Sequence, residues 1–133
     1  MNVVLDTNIL ISSLFWKGLP RRIVDLAIAH RFESITSMEI LKELESVLRE
    51  DFTDIPAEKI TDILKDILTY SKVIKTQKTF VKQLRDLSDL KIIACAVSAK
   101  ANYIVTGDKD LLVLGKFKQT EIVTARFFLE AIL

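Results

Sequence analysis

Glycine, proline, cysteine and histidine are all scarce in this chain, and each scarcity removes a class of protein. Three glycines and two prolines among 133 residues leave no collagen-like or low-complexity tract and favour a packed, helix-rich chain. Cys95 is the single cysteine, so no internal disulfide can form. His30 is the single histidine. It falls in a stretch read as helix with no polar signature, which argues against a nuclease built on histidine acid–base chemistry. No apolar run approaches the roughly 18–20 residues that span a bilayer, so no membrane contact is expected. The N-terminus opens on a strand pattern, without the basic and small-residue zones of a secretory leader, and a cytoplasmic protein is the expectation. Charge of neither sign dominates: 19 Lys and Arg stand against 18 Asp and Glu, a net +1.

What the chain does have is apolar content, 50% of all residues, enough for one core and hence one domain over residues 1–133. Short, β-branched strand patterns over 2–6, 33–36, 72–75, 103–106 and 120–123 alternate with helical patterns. The helical patterns cover 7–15, 20–30, 37–50, 56–71, 88–101 and 124–132. Ser37 suits a helix N-cap and Pro56 a first helical turn. Segment 76–87 carries no clear period. Continuous apolar strands suit a parallel sheet covered on both faces. The expected fold class is α/β, a three-layer α/β/α sandwich around a central, mostly parallel sheet of four to five strands.

Asp6 follows the apolar run Asn2–Leu5 and opens Thr7-Asn8-Ile9, where a strand hands over to a helix. Asp108 and Asp110 follow Tyr103–Gly107 in the same way. Functional groups of an open parallel sheet gather beyond the carboxyl ends of its strands. Asp89 precedes an almost wholly apolar helical stretch, 90–101, whose lack of a polar face marks a central helix. Each acid also has an ordinary reading. Asp6, Thr7, Asn8 and Asp89 are helix-capping types, and Asp108 and Asp110 are turn formers. Glu43 lies beside the apolar face of Ile40, Leu41, Leu44, Val47 and Leu48, and periodicity does not separate it from Glu39, Glu45 or Glu50. Taken together, these acids would share one edge of one sheet, and crowded carboxylates call for a divalent cation. A metal-dependent hydrolase is the leading expectation.

Three segments, VVLDTNILISSLFWKG, Ser37 followed about two turns later by Glu43, and RDLSDLKIIACAVSAKANYIVTGDKDLL, resemble the PIN domain nearly end to end. That family is the nuclease fold of VapC-type toxins from prokaryotic toxin–antitoxin pairs, and the last segment is its most specific block. The resemblance implies that Asp6, Glu43 and Asp89 match three acidic positions usually assigned to metal binding and catalysis. Asp108 matches the fourth, and Asp110 is a further acid often present. Thr7, Asn8, Ser12 and Thr106 match polar positions that orient the carboxylates or a bound water. At Leu87-Ser88 related sequences often carry Pro-Asp, so one optional acid is lost. The implied activity is a Mg²⁺- or Mn²⁺-dependent endoribonuclease. Asp6 and Asp89 are expected as direct ligands, with Asp108, Asp110 and Glu43 acting through water or a second ion. The implied partners are RNA, a second copy in a homodimer or higher homo-oligomer and, for a toxin, a small antitoxin that masks the acidic cleft.

Two basic clusters are candidate phosphate contacts or an ordinary solvated surface. One is Lys17, Arg21 and Arg22; the other is Lys72, Lys75, Lys78, Lys82 and Arg85. From these, Arg21, Arg22, Lys75, Lys78 and Lys82 are the RNA-binding candidates, with Phe15 and Trp16 available for base stacking or for packing. Other functional readings stay open. A phosphoacceptor receiver would carry paired acids after its first strand, and a haloacid-dehalogenase-type phosphatase would carry Asp-x-Asp where this chain has Asp6-Thr7-Asn8. A housekeeping RNA-processing PIN nuclease fits as the toxin does. A catalytically silent PIN-like module fits less well, because the acidic set is intact. Near the C-terminus, Phe127, Phe128, Leu129, Ile132 and Leu133 are expected to pack internally.

Overall fold

The chain runs β1 (Asn2–Leu5), α1 (Thr7–Phe15), α2 (Leu19–Ile28), β2 (Glu33–Ser37), α3 (Met38–Asp51), α4 (Ala57–Tyr70) and β3 (Ser71–Ile74). It continues through α5 (Leu87–Ala99), β4 (Tyr103–Val105), α6 (Lys109–Leu114), β5 (Lys116–Phe117), β6 (Thr120–Val123) and α7 (Ala125–Ile132). This structure, a computed structural model, describes residues 1–79 and 81–133. One sheet has the order β3-β2-β1-β4-β6-β5, parallel throughout except for β5 against β6. It therefore has six strands rather than the expected four to five. The extra strand, β5, has two residues, too few to show a period of two. The six-residue α6 before it was equally illegible. Gly115, at φ 72°, ends α6 in a conformation that suits glycine.

The pleat of the strands sorts the core into two layers. Val3, Leu5, Val105 and Val123 point to one face, where α1, α2, α3, α4 and α7 cover them. Val4, Ile35, Ile104 and Ile122 point to the other, under α5 and α6. The near-continuous apolar strands serve both layers at once. Right-handed crossovers require connections that run opposite ways across a sheet to lie on opposite faces. The chain obeys this: β1 to β2 to β3 goes one way under α1–α4, and β3 to β4 to β6 goes the other under α5 and α6.

α7 is anchored by the fully buried Phe128, edge-on to Phe32 and Tyr103 at centroid distances of 5.1 and 5.6 Å. Leu129 is buried beside it, whereas Phe127 and Leu133 are exposed. Ser37 caps α3 by accepting from Ile40 N at 3.2 Å. Pro56 is the N-cap of α4 rather than its first turn. α2 stops at Ile28, so His30 sits after the helix, at φ 58°. Segment 75–79 has no regular structure but is tied down, with Thr76 Oγ1 donating to Glu39 at 3.1 Å and Gln77 N donating to Ser98 Oγ at 3.2 Å. Among the described residues no helix is long and apolar enough to cross a membrane.

Candidate metal centre

Strand order reverses between β1 and β4, the place where the carboxyl ends of neighbouring strands diverge into a crevice. Their register pairs Leu5 with Val105, which sets Asp6 level with Thr106. Asp6 N continues the ladder to Val105 O at 3.0 Å, and Thr106 N does the same to Val123 O at 3.0 Å. Asp6 is the N-cap residue of α1 by position, yet its side chain makes no capping bond. Its Oδ2 instead accepts from Thr106 Oγ1 at 2.6 Å. The same threonine oxygen accepts from Asp108 N at 2.9 Å. The capping reading of Asp6 therefore fails, and its carboxylate is aimed across the strand ends.

Asp89 does not cap α5 either. That role belongs to Asp86, whose carboxylate accepts from Ser88 N at 2.8 Å. The helix begins at Leu87, three residues before the Leu90 start that would make Asp89 a cap, and Asp89 lies in its first turn, only 5% exposed. Asp108 does cap, accepting from Asp110 N at 2.8 Å and Leu111 N at 3.4 Å at the start of α6. One carboxylate oxygen from each of Asp89, Asp108 and Asp110 falls within 4.8 Å of the others. That spacing is one a single cation can bridge, and all the donors are hard oxygens. Asp6 and Glu43 stand outside this tightest set.

Like charges and burial act on the carboxyls in the same direction. Asp89 is pushed up to about 7, first by burial and then by the charges of Asp108, Asp86, Asp6 and Asp110. Asp6 is raised from its ordinary value chiefly by burial; the Thr106 and Thr7 hydrogen bonds pull it back, and Asp108 and Glu43 push it up again. The carboxyls thus form one electrostatic unit.

Glu43 is fixed differently. Its Oε2 accepts from Thr7 Oγ1 at 3.0 Å, its Oε1 accepts from Ser88 Oγ, and Lys91 Nζ lies 3.8 Å from Oε1. Helical spacing alone does not select Glu43 from the other acids of α3; its partners on α1 and α5 do. Ser88 and Lys91 were not anticipated. Ser88 stands where an optional acid is lost and replaces it with a donor. Lys91 is the one charged residue in the run Leu90–Ala99, and that isolation was its signal. Thr7 and Thr106 are buried and bonded to the acids. Asn8 is exposed and Ser12 half-buried, and among the described residues neither side chain bonds an acid.

Of the basic candidates, Lys75 and Lys78 lie together on the α5 side of the sheet, in a cavity that also touches Val97 and Ser98. Lys82 is exposed and outside that lining. Arg21 and Arg22 are on α2, in the opposite layer, where Arg21 pairs with Asp25 at 3.3 Å. The two clusters do not form one patch. Phe15 stacks on Phe52 at 4.7 Å and meets Trp16 edge-on at 5.8 Å, leaving Trp16 61% exposed.

Thr106→Val removes the donor to Asp6 and the acceptor for Asp108 N, both in a fully buried position. Urea unfolding should register a loss of about 1–3 kcal/mol, whereas Thr106→Ser should stay near wild type; equal stability of the valine variant would discount the shared hydroxyl. The raised Asp89 gives a second expectation. Its penalty is absent below about pH 4, where folded and unfolded chains both hold the proton, and is complete above pH 7, where both have lost it. In chelator, the melting temperature of wild type relative to Asp89→Asn should therefore fall as pH rises from 4 to 8. A constant difference would show that the Asp89 carboxyl is not raised in the folded chain.

The chain's likeness to known proteins agrees with this geometry. A PIN domain model matches residues 2–110, a span that holds every acid named above. An uncharacterized protein of Methanocaldococcus jannaschii is 37% identical over 120 residues, covering 86% of this chain and 75% of that protein. A chain in the crystal structure of VapBC2 from Rickettsia felis bound to a DNA fragment from their promoter has the same fold. It superposes with a TM-score of 0.64 over 93% of this chain and 98% of that one, at 15% identity. With Asp6 and Asp108 beyond neighbouring parallel strands and Asp89 opening a central helix, the sequence match and the architecture lead to one assignment: the chain belongs to the PIN domain family.

Proposed function

We propose that the chain is a Mg²⁺- or Mn²⁺-dependent endoribonuclease acting as the toxin of a type II toxin–antitoxin pair. The observation that carries this reading is the convergence of Asp89, Asp108 and Asp110, with oxygens within 4.8 Å, beside Asp6 at the reversal of strand order. The residues fit a hard divalent ion. Their donors are all oxygen, and the burial and like-charge repulsion that lift Asp89 to about 7 are what a bound divalent charge offsets. Asp89, Asp108 and Asp110 would hold the ion, with Asp6 and Glu43 reaching it directly or through water. When bound, such an ion supplies an acidified water, orientation of the scissile phosphate and neutralisation of charge on the leaving oxygen.

The chain's own contribution is placement. Thr106 turns Asp6 across the strand ends, and the backbone N–H groups of Asp110 and Leu111 lock Asp108. Thr7 and Ser88 hold both oxygens of Glu43. RNA as substrate, a homodimer and an antitoxin partner are supported by the PIN resemblance; the fold shared with VapBC2 adds to the toxin reading. Exposed Trp16 and Val113 provide apolar surface for such partners to cover.

The reading predicts that purified wild type cleaves single-stranded RNA only with Mg²⁺ or Mn²⁺. Asp6→Asn should lower the rate by about 100-fold or more while the melting temperature holds or rises, because a buried and repelled charge is removed. Cleavage that persists in chelator, or in Asp6→Asn at the wild-type rate, would discard the metal mechanism. Expression of wild type should arrest growth, and Asp6→Asn should relieve the arrest; indifferent growth would favour an RNA-processing role instead.

A further inference from the structure

We infer that a groove along the outer face of α5 is the track that delivers a single-stranded phosphate backbone to the acidic centre, an inference that rests on the nuclease reading above. Two adjoining cavities make the groove, of about 550 and 660 Å³. Both are lined by Gln77, Lys78 and Thr79, so they share a wall. That wall does not hang free, because Thr76 and Gln77 tie it to Glu39 and Ser98. Its opposite wall is α5 itself.

Four lysines rim the groove: Lys75 and Lys118 at one end, Lys78 in the shared wall and Lys91 at the other end. Lys91 also lies 3.8 Å from Glu43, which makes it the junction between the cationic groove and the carboxylates. The one acid in the lining, Glu39, is engaged by Thr76. From Lys91 to Ser98 the helix rises about 10 Å. At about 3.4 Å per phosphate of a stacked strand, that length matches about three phosphates.

The floor between the cations is not charged. It is made of Val97 and Phe117 at the far end, and of Leu87, Leu90 and Ala94 near the centre. Lys118 Nζ stands 6.0 Å from the centroid of the Phe117 ring, so a cation and an aromatic face are presented together. Cations that follow a backbone and an aromatic surface that takes a base are the two parts of a sequence-tolerant single-strand site. Cavities of this size suit a ligand of small-molecule width, which a single strand is and a duplex is not. Three lysines, and a fourth shared with Glu43, against one engaged acid in the lining favour a polyanion over an apolar helix from a protein partner.

The test uses the 133-residue chain carrying Asp6→Asn and a short, fluorescein-labelled, single-stranded RNA of mixed sequence, with anisotropy read across a salt series. Losing two phosphate contacts in Lys78→Ala/Lys118→Ala should make the plot of log affinity against log salt shallower by about 1.4. Lys59→Ala/Lys65→Ala on the exposed side of α4 should leave it unchanged. The same RNA as a duplex should bind more weakly and show no dependence on Lys78 and Lys118. An unchanged slope in the groove variant, or an equal loss in the α4 variant, overturns the track. Cleavage of the same RNA by the otherwise wild-type chain is scored separately. If it is absent while the groove-dependent slope is present, the groove stands as a binding site and the nuclease reading falls. If the RNA is cleaved but the slope does not move, the nuclease reading stands and the track falls.

Discussion

One buried hydroxyl joins the two strands on either side of the reversal in the sheet, and the arrangement of the acidic centre depends on it. Thr106 Oγ1 donates a hydrogen bond to Asp6 at the end of β1 and accepts one from Asp108 N at the start of the turn into α6. Register brings the three together: Leu5 pairs with Val105, so the next residues on each strand meet at the same height. A one-residue slip would turn Val3 and Leu5 out of one core layer and Val4 out of the other. The packing of both layers therefore also enforces the position of Asp6.

The centre is built against its own electrostatics. Asp6 and Asp89 are buried, and burial and neighbouring carboxylates both disfavour their charged forms. The N-terminus of α6 offers Asp108 the backbone N–H groups of Asp110 and Leu111. Those bonds orient its side chain without cancelling the repulsion. A fold that retains such a cluster stores a demand for positive charge at one point on its surface.

Glu43 is held differently, by two hydroxyls and an ammonium group. Thr7 comes from α1, and Ser88 and Lys91 from α5, so a single carboxylate draws three helices to the same edge. Lys91 faces two ways: toward Glu43 on one side and into the groove beneath segment 75–79 on the other. The acidic centre and the cationic groove thus meet at one side chain on α5.

Much of the architecture was legible in the residues. Short β-branched runs, each followed by a helical period, carry the α/β class, and Asp6 and Asp108 at strand ends carry the location of the centre. β5 and α6 were not legible, since elements of two and six residues cannot display a period. Asp89 was legible as an acid beside a central helix, but the cap proved to be Asp86, and only backbone geometry separates a cap from a first-turn residue. What the sequence determined by itself was local: which segments are strands or helices, and which polar types stand at their junctions. Which acid on α3 is enlisted, that Arg21 and Lys75 lie on opposite sides of the sheet, and that Lys91 bridges Glu43 to the groove were decided by tertiary structure alone. The reason is physical: periodicity reports a residue's angle about its own helix axis, whereas these relations depend on how separate axes are packed against one sheet.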